Sequence, residues 1–132
     1  MIVIDASVLT SALTDDGPFG RDCRARLAGD VHWSAPDHIV VEVFSAIRGL
    51  DRAAKITRGR SGDALAALSS AVIERVDIVP LLDRMWQLRS NLSGYDAAYV
   101  AVAELLACPL VTADRRLGDA PGIRCEIRLI EH

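Results

Sequence analysis

The chain has 132 residues, of which 51% are hydrophobic and only 5% aromatic, and its formal net charge is −3 at pH 7. A chain of this length buries an aliphatic core large enough to fold unaided, which predicts a single domain over residues 1–132. Asp96, Glu104 and Pro109 interrupt its most apolar part, so no stretch reaches the roughly 18 apolar residues of a membrane span. The negative net charge excludes an overall positive field that would attract nucleic acid.

The beginning of the chain carries no recognisable targeting segment. Met1 leads directly into the apolar run Ile2–Ile4, with no basic region and no small-residue cleavage site. We therefore expect a cytoplasmic protein with no membrane partner. The cysteines are odd in number and share no metal-type spacing, which predicts reduced thiols at Cys23, Cys108 and Cys125.

Short β-branched runs alternate with helical patterns, which is typical of an α/β fold with a mainly parallel sheet. In the first half we predict a strand at 2–4, a helix at 7–13, a helix ending near 28, a strand at 31–34, and a helix that opens on a capping box at 34–37 and ends near 50. In the second half we predict a helix at 63–74, a strand at 76–79, a helix at 80–91, a helix at 93–107, a strand at 110–112, a short helix or turn at 114–117, and strand-like segments at 123–125 and 128–130.

Four carboxylates occupy positions where the pattern predicts buried side chains. Asp5 ends the first strand, and Asp114 follows the strand at 110–112. Asp96 opens an apolar helix, and Glu42 interrupts a helix that is apolar on nearly all sides. Because the carboxyl ends of parallel strands meet at one edge of a sheet, where helices also begin, we expect Asp5, Asp96 and Asp114 to converge.

Each acid also has a structural explanation. Asp5 and Asp114 are positioned to cap the helices that follow them, and Asp96 occupies the third helical position, N3, of a capping box whose N-cap is Ser93. For Glu42 the alternative is a buried ion pair with an arginine. Other acids have ordinary turn, cap or surface roles: Asp15, Asp16, Asp37, Asp83 and Glu104.

The four acids together favour a divalent-metal site. A buried carboxylate is costly unless it is neutralised, hydrogen-bonded or bound to a cation. Mg²⁺ and Mn²⁺ prefer hard oxygen ligands, and Mg²⁺ keeps several waters in its shell. The pattern leaves open whether one ion or two would bind.

The basic residues are fourteen arginines and a single lysine, Lys55. Arginine suits bidentate phosphate contacts better than lysine does. Arg115 and Arg116 directly follow Asp114, which makes them candidate phosphate contacts or solvated surface charges. The same two interpretations apply to a second basic group: Arg48, Arg52, Lys55, Arg58 and Arg60.

The order and content of these motifs resemble the PIN-domain nucleases, and most of all the VapC-type toxins of bacterial toxin–antitoxin pairs. The resemblance extends from residue 3 to about residue 130. It is carried by the segments Val3-Ile4-Asp5-Ala6-Ser7-Val8-Leu9, the isolated helical Glu42, Tyr95-Asp96-Ala97-Ala98-Tyr99-Val100-Ala101, and Leu110-Val111-Thr112-Ala113-Asp114-Arg115-Arg116-Leu117.

The resemblance implies a three-layer α/β/α sandwich and Mg²⁺- or Mn²⁺-dependent cleavage of tRNA or ribosomal RNA, which stops translation. It also implies a homodimer and a cognate antitoxin whose tail blocks the acidic groove, often with an arginine entering it. The implied catalytic and metal-binding acids are Asp5, Glu42, Asp96 and Asp114, with Ser7 and Thr112 as supporting polar residues. Asp119 is a candidate further acid, although its surroundings are also typical of a turn. Arg115 and Arg116 are candidate RNA contacts.

Three other functions are less consistent with the residues. A dehalogenase-like phosphatase needs an aspartate two residues after the first, where this chain has Ser7, and a lysine near the later acids, whereas Lys55 is the only lysine. A phosphorylated receiver domain fails on the same lysine. A catalytically idle PIN-like module that binds protein or RNA has no reason to keep four mutually repelling acids, and calorimetry with Mn²⁺ would discriminate it from a nuclease.

Overall fold

The computed structural model describes residues 1–132. Its five strands are β1 Ile2–Ile4, β2 Trp33–Pro36, β3 Ile73–Val76, β4 Leu110–Thr112 and β5 Ile127–Leu129. Its seven α-helices are α1 Ala6–Thr14, α2 Pro18–Ala28, α3 Ile39–Arg52, α4 Arg58–Ser70, α5 Leu82–Gln87, α6 Gly94–Leu106 and α7 Arg115–Asp119, and a 3₁₀ turn, Val79–Leu81, precedes α5.

All strand pairs are parallel, and the strands lie in the order β3-β2-β1-β4-β5. Helices α1 to α4 contact one another as one layer, while α6 packs against the central strands and α5 packs on α6. The chain moves from β1 outward through β2 to β3, and then crosses back to β4 on the other side of β1. The sheet therefore has its topological switch point between β1 and β4, where open α/β sheets bind ligands.

The core follows from strands that are apolar throughout and from one unusually apolar helix. Every residue of β1 and β4 is buried, as expected for strands covered on both faces. In α6 the seven consecutive residues 97–103 are buried. The predicted α/β architecture and three-layer sandwich around a parallel sheet are confirmed.

An ion pair fastens the outer helix α5 to α6. The guanidinium of Arg84 donates from Nε to Glu104 Oε1 at 2.7 Å and from Nη2 to Oε2 at 3.0 Å. Arg84 Nη2 also donates to the carbonyl of Gly122, and the backbone N–H of Arg124 donates to Glu104 Oε2. One side-chain pair thus joins α5, α6 and the loop before β5.

Two predicted elements around α3 and α4 are wrong in their boundaries. The segment expected to form a capping box lies in β2, and α3 begins only at Ile39 with no side-chain cap, because β2 pairs with both β1 and β3. Helix α4 starts at Arg58 rather than at residue 63. Gly59 and Gly62 lie inside it with open space around them, so they lower helix propensity without ending the helix.

The remaining differences are shifts of a few residues. Strand β3 lies at Ile73–Val76, three residues before the predicted position, because Val79–Leu81 forms the 3₁₀ turn. Of the two strand-like segments predicted at the end, only β5 is a strand. The predicted N-cap at Ser93 and the strand β4 are confirmed, and the Ser93 hydroxyl accepts the backbone N–H of Asp96. None of the helices combines the length and apolar content that crossing a bilayer requires.

Candidate active site at the carboxyl edge of the sheet

Asp5 occupies the switch point at the end of β1. Its side chain is only 5% exposed, and it accepts three hydrogen bonds: from the Ser7 hydroxyl to Oδ1 at 2.6 Å, from the Val8 backbone N–H to Oδ1 at 3.1 Å, and from the Thr112 hydroxyl to Oδ2. Asp5 therefore caps α1, as one of the two interpretations predicted, and is also bound to the end of β4. Burial raises the pKa of Asp5, these hydrogen bonds lower it, and the negative charge of Asp96 raises it, with a raised pKa as the net result.

Ser7 and Thr112 link the ends of β1 and β4. The Ser7 hydroxyl accepts the backbone N–H of Ala113, and the Thr112 hydroxyl accepts the backbone N–H of Asp114. Both hydroxyls also donate to Asp5. The loop that carries Asp114 is therefore held to Asp5 by two short hydrogen-bonded paths.

Glu42 lies in the first turn of α3 and makes no arginine pair, so the predicted alternative for this residue is wrong. The hydroxyl of Tyr99 donates to Glu42 Oε1 at 2.8 Å. His38 Nε2 lies 2.9 Å from the same oxygen, at an angle too poor for a hydrogen bond. Tyr99 is 2% exposed, and the His38 ring packs edge-on against Tyr99 and Tyr95. One carboxylate oxygen of Glu42 is therefore fixed, while Oε2 has no hydrogen-bond partner within the protein.

Asp96 is half-buried in the first turn of α6. Burial raises the pKa of Asp96, hydrogen bonding with Ser93 lowers it, the negative charge of Asp114 raises it, the positive charge of Arg116 lowers it, and Glu42 raises it. The net result is a raised pKa. Asp96 thus lies within electrostatic range of the other acids.

Asp114 caps α7 by accepting the backbone N–H of Arg116 at 3.0 Å. The guanidinium of Arg116 hydrogen-bonds both carboxylate oxygens and holds the pKa of Asp114 below its usual value, against a smaller opposing effect of burial. Arg115 is exposed and makes no side-chain hydrogen bond or ion pair. Asp119 ends α7, is exposed, and makes no side-chain hydrogen bond or ion pair.

The PIN-domain family model matches residues 2–123, a range that includes all four acids. The chain is 37% identical over 130 residues to VapC ribonuclease Mb0985 of Mycobacterium bovis and to Ribonuclease VapC9 of Mycobacterium tuberculosis, with 98% of each chain covered. It is also 37% identical over 129 residues to Ribonuclease VapC1 of M. tuberculosis, covering 97% of this chain and 96% of that one. The chain belongs to the VapC branch of the PIN-domain family.

Solved structures agree with this PIN-domain fold. M. tuberculosis VapC20, described as a toxin that cleaves the sarcin–ricin loop, superposes with a TM-score of 0.70 at 16% identity over 94% of this chain and 97% of that one. The VapBC2 complex of Rickettsia felis, bound to a DNA fragment from its promoter, superposes with a TM-score of 0.63 at 14% identity over 97% of this chain and 99% of that one. At these identities the likeness concerns the fold.

The carboxylate oxygens of this PIN domain are the ligand type that Mg²⁺ and Mn²⁺ prefer, but the four acids are too far apart to surround one ion directly. No group of three or more Asp, Glu, His or Cys side chains lies close enough together to enclose an ion. Mg²⁺, however, needs only one or two carboxylates and completes its shell with waters. Burial and neighbouring negative charges raise the pKa of both Asp5 and Asp96, so a cation between the acids would relieve a real electrostatic cost.

Two residues at the site were missed from the sequence. Tyr99 anchors Glu42, although the sequence singles it out only as part of the family-like segment, and His38, which no motif includes, borders the same oxygen. Spacing alone contained a signal, because His38 precedes Glu42 by four residues and Tyr99 follows Asp96 by three, so each shares a helical face with an acid. That signal became informative only once α3 and α6 were known to meet at this edge.

Proposed function

We propose that the chain is a Mg²⁺- or Mn²⁺-dependent endoribonuclease, the toxin of a toxin–antitoxin pair, formed by a single PIN-like domain over residues 1–132. Its substrate class is tRNA or ribosomal RNA, whose cleavage stops translation. The observation that carries the proposal is a buried, triply hydrogen-bonded Asp5 at the switch point of the sheet, with three further acids at the same edge. The 37% identity to VapC ribonucleases over 130 residues supports it.

The metal would be held by one or two of the four acids directly and by the others through waters, because no three of them lie close enough together to enclose an ion. These acids are Asp5, Glu42, Asp96 and Asp114. Such a cation supplies Lewis-acid stabilisation of the charge that develops on the scissile phosphate. Glu42 is the acid best placed to take a proton from the attacking water, because Tyr99 fixes one of its oxygens and leaves Oε2 free. The exposed guanidiniums of Arg115 and Arg116 would contact the RNA backbone, since arginine binds phosphate in a bidentate manner.

The direct test is purified protein incubated with total bacterial RNA. We expect cleavage with Mg²⁺ or Mn²⁺, none after chelation, and recovery when the metal is added back. Expression in a bacterial host should arrest growth, and mapping of the cut RNA would identify the target. RNA binding without metal-dependent cleavage would instead favour an idle PIN-like binding module.

Tyr99→Phe should lower RNA cleavage by about tenfold without unfolding the protein, because second-sphere partners of catalytic acids typically contribute 10- to 100-fold. The substitution keeps the buried ring and removes only the hydroxyl that holds Glu42. Tyr95→Phe is the matched control, since Tyr95 is exposed and its hydroxyl makes no hydrogen bond within the protein. The measurement is the initial rate of RNA cleavage by both variants. Equal rates would show that the hydrogen bond from Tyr99 to Glu42 does not contribute to cleavage.

The antitoxin and the dimer complete the proposal. The solved neighbours include a toxin–antitoxin complex from Klebsiella pneumoniae, with a TM-score of 0.61 at 18% identity over 94% of this chain and 96% of that one, and such a partner for this chain would cover the acidic edge. Co-expression of a small neighbouring gene that restores growth would support it.

A homodimer fits the exposed apolar face formed by Val79, Leu82 and Trp86 on the 3₁₀ turn and α5, and a purely monomeric mass in sedimentation would contradict it.

A further inference from the structure

A positively charged group already contacts the acidic site, and it comes from the chain itself. Arg116 donates from Nε to Asp114 Oδ1 at 3.1 Å and from Nη2 to Asp114 Oδ2 at 2.8 Å. This forked contact engages both oxygens of the carboxylate. The negative charge of Asp96 also acts on the Arg116 guanidinium. Arg116 thus offers positive charge in the region where the four acids need it.

The ion pair between Arg116 and Asp114 can open at little cost in free energy. The side chain of Arg116 is 87% exposed and that of Asp114 is 23% exposed, and the guanidinium makes no hydrogen bond to any residue other than Asp114. Exposed ion pairs contribute little free energy and are screened by salt. The backbone N–H of Arg116 holds Asp114 independently of the side chain, so the guanidinium can leave while the carboxylate stays in place.

Binding of a divalent cation at Asp114 opposes this contact in two ways. The cation would have to share the carboxylate with the guanidinium, because Oδ1 accepts two hydrogen bonds from Arg116 and Oδ2 keeps one free lone pair, and it would place two positive groups side by side. The two states therefore compete, and the fraction of molecules with the pair closed reduces the apparent affinity for the metal.

We propose that Arg116 is a placeholder cation, which neutralises Asp114 while no metal is bound, is released when a divalent cation binds, and then contacts a phosphate of the RNA. The inference rests on the proposed function, because it takes Asp114 to be a metal ligand. It assigns different tasks to two adjacent arginines. Arg115 has no partner in the protein and serves only the RNA, whereas Arg116 links metal entry to the supply of a free guanidinium.

Mn²⁺ binding to the full chain, measured by calorimetry without RNA, tests the competition. Arg116→Gln should bind Mn²⁺ two- to fivefold more tightly than the wild type, which is the range expected for removal of an exposed ion pair. Arg115→Gln is the matched control, because it removes the same charge one position away and leaves Asp114 paired. Equal affinity gains in both variants would reduce the effect to net charge and overturn the proposal, as would no gain in Arg116→Gln.

A spectroscopic measurement follows the guanidinium directly. In ¹H–¹⁵N spectra at low temperature, the Nε–H of Arg116 should be protected from exchange in the metal-free protein and should lose that protection as Mg²⁺ is added, while the Arg115 signal stays unchanged. A protected Arg116 signal at saturating Mg²⁺ would contradict release. If neither the wild type nor any variant binds Mn²⁺, both the placeholder role and the metal site of the proposed function are wrong. If the wild type binds Mn²⁺ and Arg116→Gln binds it equally tightly, only the placeholder role is wrong.

Discussion

Asp5→Asn is expected to abolish metal-dependent RNA cleavage, with a loss on the order of a hundredfold or more, while the protein remains folded. Changes in the partners of metal ligands cost 10- to 100-fold, and loss of a central ligand should cost at least as much. The asparagine carbonyl can still accept the Ser7 hydroxyl and the Val8 N–H, and its amide can donate to Thr112. Removal of a buried charge also ends its repulsion with Asp96. The variant should therefore unfold at the wild-type temperature or above it.

The measurements are cleavage rates, thermal unfolding, and the rise in unfolding temperature that Mg²⁺ produces in the wild type by binding the native state. That rise should vanish in Asp5→Asn. Asp37→Asn is the matched control, because Asp37 is exposed and forms only a 4.0 Å contact with Arg75. Full cleavage by Asp5→Asn would remove the central acid from the mechanism.

Glu104→Gln should have the largest effect on stability among the charged residues away from the site, about 2 kcal/mol, or about 8 °C in unfolding temperature. The Arg84 and Glu104 side chains are 19% and 14% exposed, so glutamine would leave a half-buried guanidinium without its counter-charge. The exposed Arg128–Glu126 pair supplies the control. Because exposed pairs contribute little, Glu126→Gln should change the free energy of unfolding by less than about 0.5 kcal/mol.

The same pair makes a prediction about pH. Burial acts to raise the pKa of Glu104, but the hydrogen bonds from Arg84 and from the Arg124 N–H, with the positive charges of both arginines, hold it below the ordinary value of 4.5. A carboxylate whose pKa is lower in the folded state stabilises the protein fully above the unfolded-state pKa. This stabilisation is lost as the pH falls through the folded-state value. The difference between wild type and Glu104→Gln should thus be full near pH 7 and shrink below pH 4.5; a constant difference would show that the charge is not its source.

The sequence predicted the part of the site that depends on the ends of strands. Asp5 and Asp114 follow apolar runs, and the carboxyl ends of neighbouring parallel strands meet at one edge, so local patterns were sufficient. The partners of Glu42 were a different matter. Tyr99 lies 57 residues from Glu42 in the chain, and only the packing of α6 beside the start of α3 brings the two together.

The errors in the elements have the same origin. Residues 34–37 have the composition of a helix start, but pairing with β1 and β3 extends β2 through Pro36. Glu104 was assigned an ordinary surface role, because its partner Arg84 belongs to another helix and the backbone of Arg124 to a loop. In each case a contact distant in sequence outweighed a local preference, as tertiary context often does.

The hydroxyls of Ser7 and Thr112 have a directional consequence. Each hydroxyl has one proton and lies beside the Asp5 carboxylate, which can only accept, so that proton must point toward Asp5 while the oxygen accepts a backbone N–H from the loop after β4. Each hydroxyl therefore joins one backbone N–H of the loop to the Asp5 carboxylate in a chain of two hydrogen bonds that run in the same direction. Protonation of Asp5 should weaken the hold on this loop, so the order of residues 113–114 becomes a readout of the charge at the end of β1.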